Sequence, residues 1–242
     1  MLCLICHQPI TEIISWSKLF TLSETQQPPI CQLCKQKLEP IIGEQCQICS
    51  RPFSKLESKF RIDNLCLDCI KWEQDPEWQG LLTQNISIFY YNDFLKDILA
   101  QFKFRGDHEL VKIFTPNMQK KFNQTFNRKN PPILIPVPLS SERLYERGFN
   151  QAHSLADLLN LPIYDILQRT HTEKQSKKKK IQRLSSDSPF HLKPNIQAAQ
   201  YKNNPILIID DIYTTGTTLR QIAKVLETLS PPKIYSLTLS RS

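Results

Sequence analysis

The chain has 242 residues, a formal net charge of +8, 40% apolar and 22% charged residues, a composition that excludes a disordered polymer. No apolar run approaches the roughly 20 residues of a membrane-spanning helix. The five glycines complete neither the Walker pattern G-x-x-x-x-G-K-S/T nor G-x-G-x-x-G, which removes the main signatures of a P-loop nucleotidase and a dinucleotide-binding fold. The start, Met1-Leu2-Cys3-Leu4-Ile5-Cys6, lacks the basic segment and long apolar stretch of an export signal, so a cytoplasmic address is expected. Charge is uneven: residues 1–80 are slightly acidic and residues 81–242 hold the basic excess. This suggests two units, the second with an anionic partner.

All eight cysteines precede residue 70, in four C-x-x-C pairs: Cys3/Cys6, Cys31/Cys34, Cys46/Cys49 and Cys66/Cys69. Such a knuckle brings two thiolates to one Zn²⁺ at about 2.3 Å, and four knuckles suffice for two closed, structural Cys₄ sites. Reduced cytosolic thiols disfavour a disulfide framework, and nothing thioredoxin-like supports a redox role. Sequential and interleaved pairings both remain open; the sequential one keeps each unit local and is favoured. His7 is surplus to the ligand sets, and Trp16, Trp72 and Trp78 are expected to pack a small core. Residues 1–80 are therefore expected to be a zinc-ribbon domain that folds on its metal.

Residues 86–91 read as a strand, with Asn92 or Asp93 capping a helix over 94–104 that ends at Gly106. A further helix is expected over 108–124 and a loop through Pro131-Pro132. Residues 133–138, apolar on both faces, suit the middle of a parallel sheet. A helix over 150–159, a buried strand over 206–209, a helix over 217–229 and a strand over 234–239 follow. This alternation argues for a doubly wound parallel α/β sheet in residues 81–242. Ligands of such sheets bind beyond the carboxyl ends of the strands, which points to the loops 136–150 and 210–218.

The second loop is the most informative. Asp210 and Asp211 end a strand, and Tyr213-Thr214-Thr215-Gly216-Thr217-Thr218 opens a helix. Gly216 permits a tight turn and close backbone approach. Amides at a helix N-terminus, with threonine hydroxyls, form an anion site. Paired carboxylates can hold ribose hydroxyls or hydrated Mg²⁺.

This string resembles the phosphoribosyl pyrophosphate (PRPP) signature of type I phosphoribosyltransferases. The resemblance implies that Asp210 and Asp211, the candidate catalytic pair, contact the ribose, and that the threonine loop cradles the 5′-phosphate. Tyr90-Tyr91, the run from Phe102 to Asp107, Pro136-Val137-Pro138-Leu139, Arg143 and Arg147-Gly148-Phe149-Asn150-Gln151 extend the likeness. With the cysteine-rich start, they resemble the competence protein ComF family over nearly the whole chain. In that family Pro136 to Leu139 stands at the pyrophosphate loop, with Arg143 and Arg147 as phosphate ligands. The segment 165–200 matches less well, through Arg169-Thr170, Gln175, Arg183 and Phe190, and it carries Lys177-Lys178-Lys179-Lys180.

The resemblance implies two structural Zn²⁺ ions and Mg²⁺ with PRPP. It also implies a role with single-stranded DNA in natural transformation, at the cytoplasmic side of the uptake channel. Lys103, Arg105 and Lys177 to Lys180 are the candidate nucleic-acid contacts, whose binding would weaken with salt. One alternative is an active phosphoribosyltransferase, for which no acceptor-recognition element is readable. Another is an adaptor whose zinc ribbons dock a DNA-translocating helicase or an inner-membrane channel protein.

Overall fold

The structure is a computed structural model that describes residues 1–10, 30–104, 108–170 and 188–242. Trp16, Gly106, Arg105, Gln175, Arg183 and Lys177 to Lys180 lie outside the described residues. In chain order, the cysteine-rich segment holds α1 (Gln32–Lys37), a short hairpin of β1 (Arg61–Ile62) and β2 (Leu65–Cys66), and α2 (Leu67–Gln74). Then come β3 (Gln84–Tyr90), α3 (Asp93–Phe104), a 3₁₀ stretch His108–Phe114, α4 (Thr115–Thr125), β4 (Ile133–Pro136), α5 (Ser141–Arg147) and α6 (Gln151–Asp157). A small antiparallel hairpin, β5 (Leu167–Arg169) with β6 (Phe190–Leu192), precedes β7 (Ile206–Tyr213), α7 (Thr217–Glu227) and β8 (Ile234–Arg241).

The main sheet has the order β3-β8-β7-β4 and every pairing in it is parallel. Strand alternation sends successive side chains to opposite faces, and here both faces are covered. Ile133, Ile135, Ile206 and Ile208 pack with Leu219, Ile222, Ala223 and Leu226 of α7. Leu134, Leu207, Ile209, Leu237 and Leu239 face the other way, onto Ile98, Leu99 and Phe102 of α3, Met118 and Phe122 of α4, and Leu155 of α6. This two-sided burial explains why β4 and β7 read as unbroken apolar runs. The fold is thus the expected parallel α/β sheet flanked by helices, with the cysteine-rich segment in front of it in sequence.

That segment shares both cores. Cys3 and Cys34 join the α3 side, whereas Cys46, Cys49, Cys66 and Cys69 join the α7 side. Between them the chain runs along the outer edge of β3: Ile41 donates to the Ile88 carbonyl at 2.8 Å, Tyr90 to Glu39 at 2.8 Å and Asn85 to Ile48 at 2.6 Å. These bonds use backbone groups that an open edge strand would offer to other chains. Asn92 caps α3, its Oδ1 accepting from the Leu95 amide at 2.9 Å, and its Nδ2 donates to the Lys37 carbonyl.

One expected element is divided. Residues 108–124 form a 3₁₀ stretch followed by α4 rather than a single helix. Pro116 lies in the first turn of α4. Proline lacks the amide needed further along a helix and is tolerated only in that turn, so a new helix must begin there. Strands β7 and β8 run on to Tyr213 and Arg241, and α5 and the β5–β6 hairpin add to the expected elements.

Candidate functional site

The sheet presents Asp210 and Asp211 near the carboxyl end of β7, with β8 alongside, Asp210 opposite Thr238. The Asp211 amide donates to Asp210 Oδ1 at 2.9 Å. Burial, and then the neighbouring Asp211 carboxylate, push the Asp210 carboxyl well above the ordinary carboxylate range. The Asp211 amide and the Lys103 ammonium act in the opposite sense without cancelling this. Lys103, in the last turn of α3, ion-pairs with Asp211 Oδ2, and both side chains are largely buried. Its charge faces the acidic pair, at the edge of the site.

Past β7 the chain makes the turn that sequence reasoning singled out. Gly216 has φ +84° and is buried. A Cβ there would lie 2.2 Å from Tyr213 Oη and 2.5 Å from Arg220 Nη1, so the position requires glycine. Thr215 Oγ1 and Thr217 Oγ1 are 2.9 Å apart, and the Thr217 amide donates to Thr215 Oγ1 at 3.4 Å. Thr214, Thr215 and Thr218 are exposed and Thr217 half-buried, at the start of the 11-residue α7. Exposed hydroxyls gathered at a helix N-terminus make this loop a competent anion cradle. The Tyr213 side chain turns inward. It is 2% exposed, its hydroxyl accepts from Arg220 Nη1 at 2.8 Å, and the Arg241 guanidinium stacks on its ring at 4.9 Å. It supports the loop from beneath; a ligand could meet only its backbone.

The other predicted loop lies at the end of the adjacent strand β4. Val137 extends the ladder by donating to the Ile209 carbonyl at 3.0 Å. Pro136, Val137 and Pro138 are buried, and Leu139 is half-buried. Ser140 caps α5 by accepting from the Arg143 amide, and Gly148 closes it with φ +74°. Asn150 donates to the Val137 carbonyl at 3.0 Å and caps α6 through the Ala152 amide at 3.0 Å. Arg143 is exposed, while Arg147 donates to Gln151 Oε1 at 2.8 Å.

A third arginine, Arg169 at the end of β5, completes this side. Burial and the nearby Arg143 guanidinium lower its pKa, whereas Asp210 raises it. It therefore lies within electrostatic reach of both loops. Its sequence context signalled only a weak likeness, because the hairpin that places it depends on pairing with residues about 20 positions on.

The cysteines form two groups, Cys3/Cys6/Cys31/Cys34 and Cys46/Cys49/Cys66/Cys69, with all Sγ atoms of a group within 4.8 Å of one another. This is the sequential pairing. Cys6 and Cys31 sulfurs are 3.7 Å apart and Cys49 and Cys66 sulfurs 3.6 Å. A tetrahedron of sulfurs about 2.3 Å from Zn²⁺ has edges of roughly 3.8 Å, so the donor set fits zinc. Backbone amides of Cys31 and Cys66 donate to the sulfurs of Cys3 and Cys46, which favours thiolates. Against the cost of burial, amides of Cys6, Cys31 and Ile5 bring the Cys3 thiol down to about 6. No cysteine among them is in a disulfide, and His7 belongs to neither group.

A parallel α/β sheet with an acidic pair at one strand end, beside a threonine-rich helix start, fits a type I phosphoribosyltransferase fold. Residues 108–241 match the phosphoribosyl transferase domain family. Over its full length the chain is 40% identical to competence protein ComFC of Bacillus subtilis (strain 168), covering 95% of that relative. It is 29% identical to competence protein ComFC of Streptococcus pneumoniae (strain ATCC BAA-255 / R6), with 100% of both chains covered. DNA utilization protein YhgH of Escherichia coli O157:H7 is 24% identical over 82% of this chain and 91% of its own. The chain belongs to the ComFC family, and in it two cysteine tetrads precede the phosphoribosyltransferase domain.

Proposed function

We propose that this chain binds PRPP with Mg²⁺ at the β7–α7 site and handles incoming single-stranded DNA in natural transformation, at the cytoplasmic side of the uptake channel. The observation that carries the reading is Asp210-Asp211 near the carboxyl end of β7, ahead of the Gly216 turn and the start of α7. The two carboxylates suit a ribose diol, and the loop 214–218 suits its 5′-phosphate. Arg143, Arg147 and Arg169 supply cations on the pyrophosphate side, next to Pro136, Val137, Pro138 and Leu139. Carboxylate oxygens are also hard donors suited to hydrated Mg²⁺, whose charge would help neutralise the pyrophosphate. Lys103 holds the place of a cation on Asp211 and must yield when a diol or hydrated metal engages that carboxylate.

The names of the relatives, competence and DNA utilization proteins, support the DNA role, as does the net charge of +8. Among the described residues no helix is long and apolar enough to cross a membrane. The test is fluorescence anisotropy of a labelled single-stranded oligonucleotide at low and moderate salt, with and without Mg²⁺ and PRPP. Salt-dependent binding, shifted by Mg²⁺ and PRPP in the wild type but not in Asp210→Ala/Asp211→Ala, is the expected result. Absence of DNA binding at low salt would refute the DNA half of the proposal.

One observation favours a second reading, transfer of the ribosyl group to an acceptor. A cavity of about 590 Å³ lies beside the pyrophosphate loop, lined by His108, Pro138, Leu139, Phe149, Arg169 and Lys193 among others. It is large enough for a heterocyclic acceptor. Pyrophosphate release from PRPP in the presence of nucleobases would support this reading.

A further inference from the structure

We infer that Trp72, Glu73 and Arg220 are positioning residues through which the second cysteine tetrad sets the shape of the phosphate loop. The inference rests on the reading of residues 214–218 as the phosphate cradle. Its starting point is α2, which opens at Cys66 and carries Cys69 in its first turn. A metal held by these two cysteines fixes that turn relative to Cys46 and Cys49. Three and four residues after Cys69, on the same face of the helix, come Trp72 and Glu73.

Trp72 Nε1 donates to the Thr215 carbonyl at 3.1 Å, across 143 residues of sequence. In a trans peptide the carbonyl and the following amide point in opposite directions. Holding the Thr215 carbonyl on Trp72 therefore aims the Gly216 amide away from α2. The face of the Trp72 ring also takes the Arg220 guanidinium at 4.7 Å. Arg220 is 0% exposed, and its guanidinium also meets the Tyr213 hydroxyl at 2.8 Å and Glu73 Oε1 at 3.7 Å. A buried guanidinium is tolerated only with such partners, so α2 is needed for Arg220 to sit under the loop. Glu73 is itself held, its Oε2 accepting from the Gly80 amide at 2.9 Å. A second tie runs parallel: Lys224 of α7 pairs with Glu77 and lies 5.0 Å from the Trp78 ring centroid. Beside the apolar packing that the tetrad shares with Tyr213 and Leu219, specific polar contacts and a stacked cation thus run from α2 to the loop.

The deciding experiment is hydrogen exchange by mass spectrometry on the full, zinc-loaded chain, comparing wild type, Trp72→Phe and Cys46→Ser. Phenylalanine keeps a ring over Arg220 and removes only the donor to Thr215. The expected result is exchange about five- to tenfold faster in residues 214–218, with β3 unchanged and two zinc ions retained. Ribose 5-phosphate, titrated by calorimetry, should bind Trp72→Phe weaker by a similar factor. Loop exchange at the wild-type rate in Trp72→Phe would overturn the role of Trp72. Cys46 lies outside α2, so Cys46→Ser removes a tetrad ligand while leaving Trp72, Glu73 and Arg220 themselves in place. A Cys46→Ser chain that loses one zinc yet keeps wild-type loop exchange would overturn the link to the metal. Should Cys46→Ser fail to fold, the Trp72→Phe exchange decides alone. Wild-type protein that does not bind ribose 5-phosphate would sink the phosphate-cradle reading, while exchange still decides the coupling.

Discussion

Replacing Gly216 by alanine tests the loop at its tightest point. At φ +84° an L-residue costs about 1–2 kcal/mol. The added Cβ would also stand 2.2 Å from Tyr213 Oη and 2.5 Å from Arg220 Nη1. Neither group can swing aside cheaply. Tyr213 is 2% and Arg220 0% exposed, and Arg241 covers the tyrosine ring. Relief of the clash must break the bond of 2.8 Å between them, leaving buried polar atoms unpaired at about 1–3 kcal/mol. The combined loss is about 2–5 kcal/mol, which for a chain of this size lowers Tm by roughly 5–15 °C. Differential scanning fluorimetry of zinc-loaded protein measures it, and calorimetry of ribose 5-phosphate should show binding at least tenfold weaker. A Gly216→Ala protein with wild-type Tm and wild-type affinity would refute the reasoning about the turn.

Asp210→Asn should stabilise the ligand-free protein at neutral pH and abolish binding of PRPP with Mg²⁺. An acid whose folded pKa is raised leaves stability intact below the unfolded carboxyl pKa and removes it as pH climbs toward the raised value. The gain in Tm for Asp210→Asn should therefore vanish under acidic conditions, read from melting curves across pH. A wild-type affinity for PRPP that strengthens as Asp210 ionises is the companion result. Lys103→Met should lower Tm, because the acidic pair then loses its cation, and should tighten Mg²⁺ binding in a metal titration; weaker Mg²⁺ binding would contradict the pairing seen with Asp211. Elemental analysis should return two zinc ions per chain, and chelation should lower Tm, since closed Cys₄ sites contribute folding energy directly.

The parts of the site legible in the sequence are those built from neighbours in the chain. The C-x-x-C knuckles, the apolar strand before Asp210 and the glycine turn before α7 each carry a local geometric requirement. The strands β4 and β7 could be read because burial on both faces leaves an unbroken apolar run. What sequence missed depends on distant partners. Trp72 has no local feature to distinguish it from Trp78, yet it meets Thr215 143 residues away. Lys103 reads in the sequence as a candidate nucleic-acid contact, and its pairing with Asp211 depends on where the fold sets α3. Tyr213 stood in the middle of the motif, but strand alternation and the bend at Gly216 turn its ring into the core. Arg169 gained its place from the β5–β6 hairpin, too short to show a period-2 pattern.

The most direct test of the central claim is isothermal titration of PRPP, with Mg²⁺, into the full zinc-loaded chain and into Asp210→Ala/Asp211→Ala. Saturable binding at one site per chain in the wild type, lost in the double variant with melting behaviour retained, is the predicted result. Absence of binding in the wild type, or equal binding in both proteins, would contradict the account.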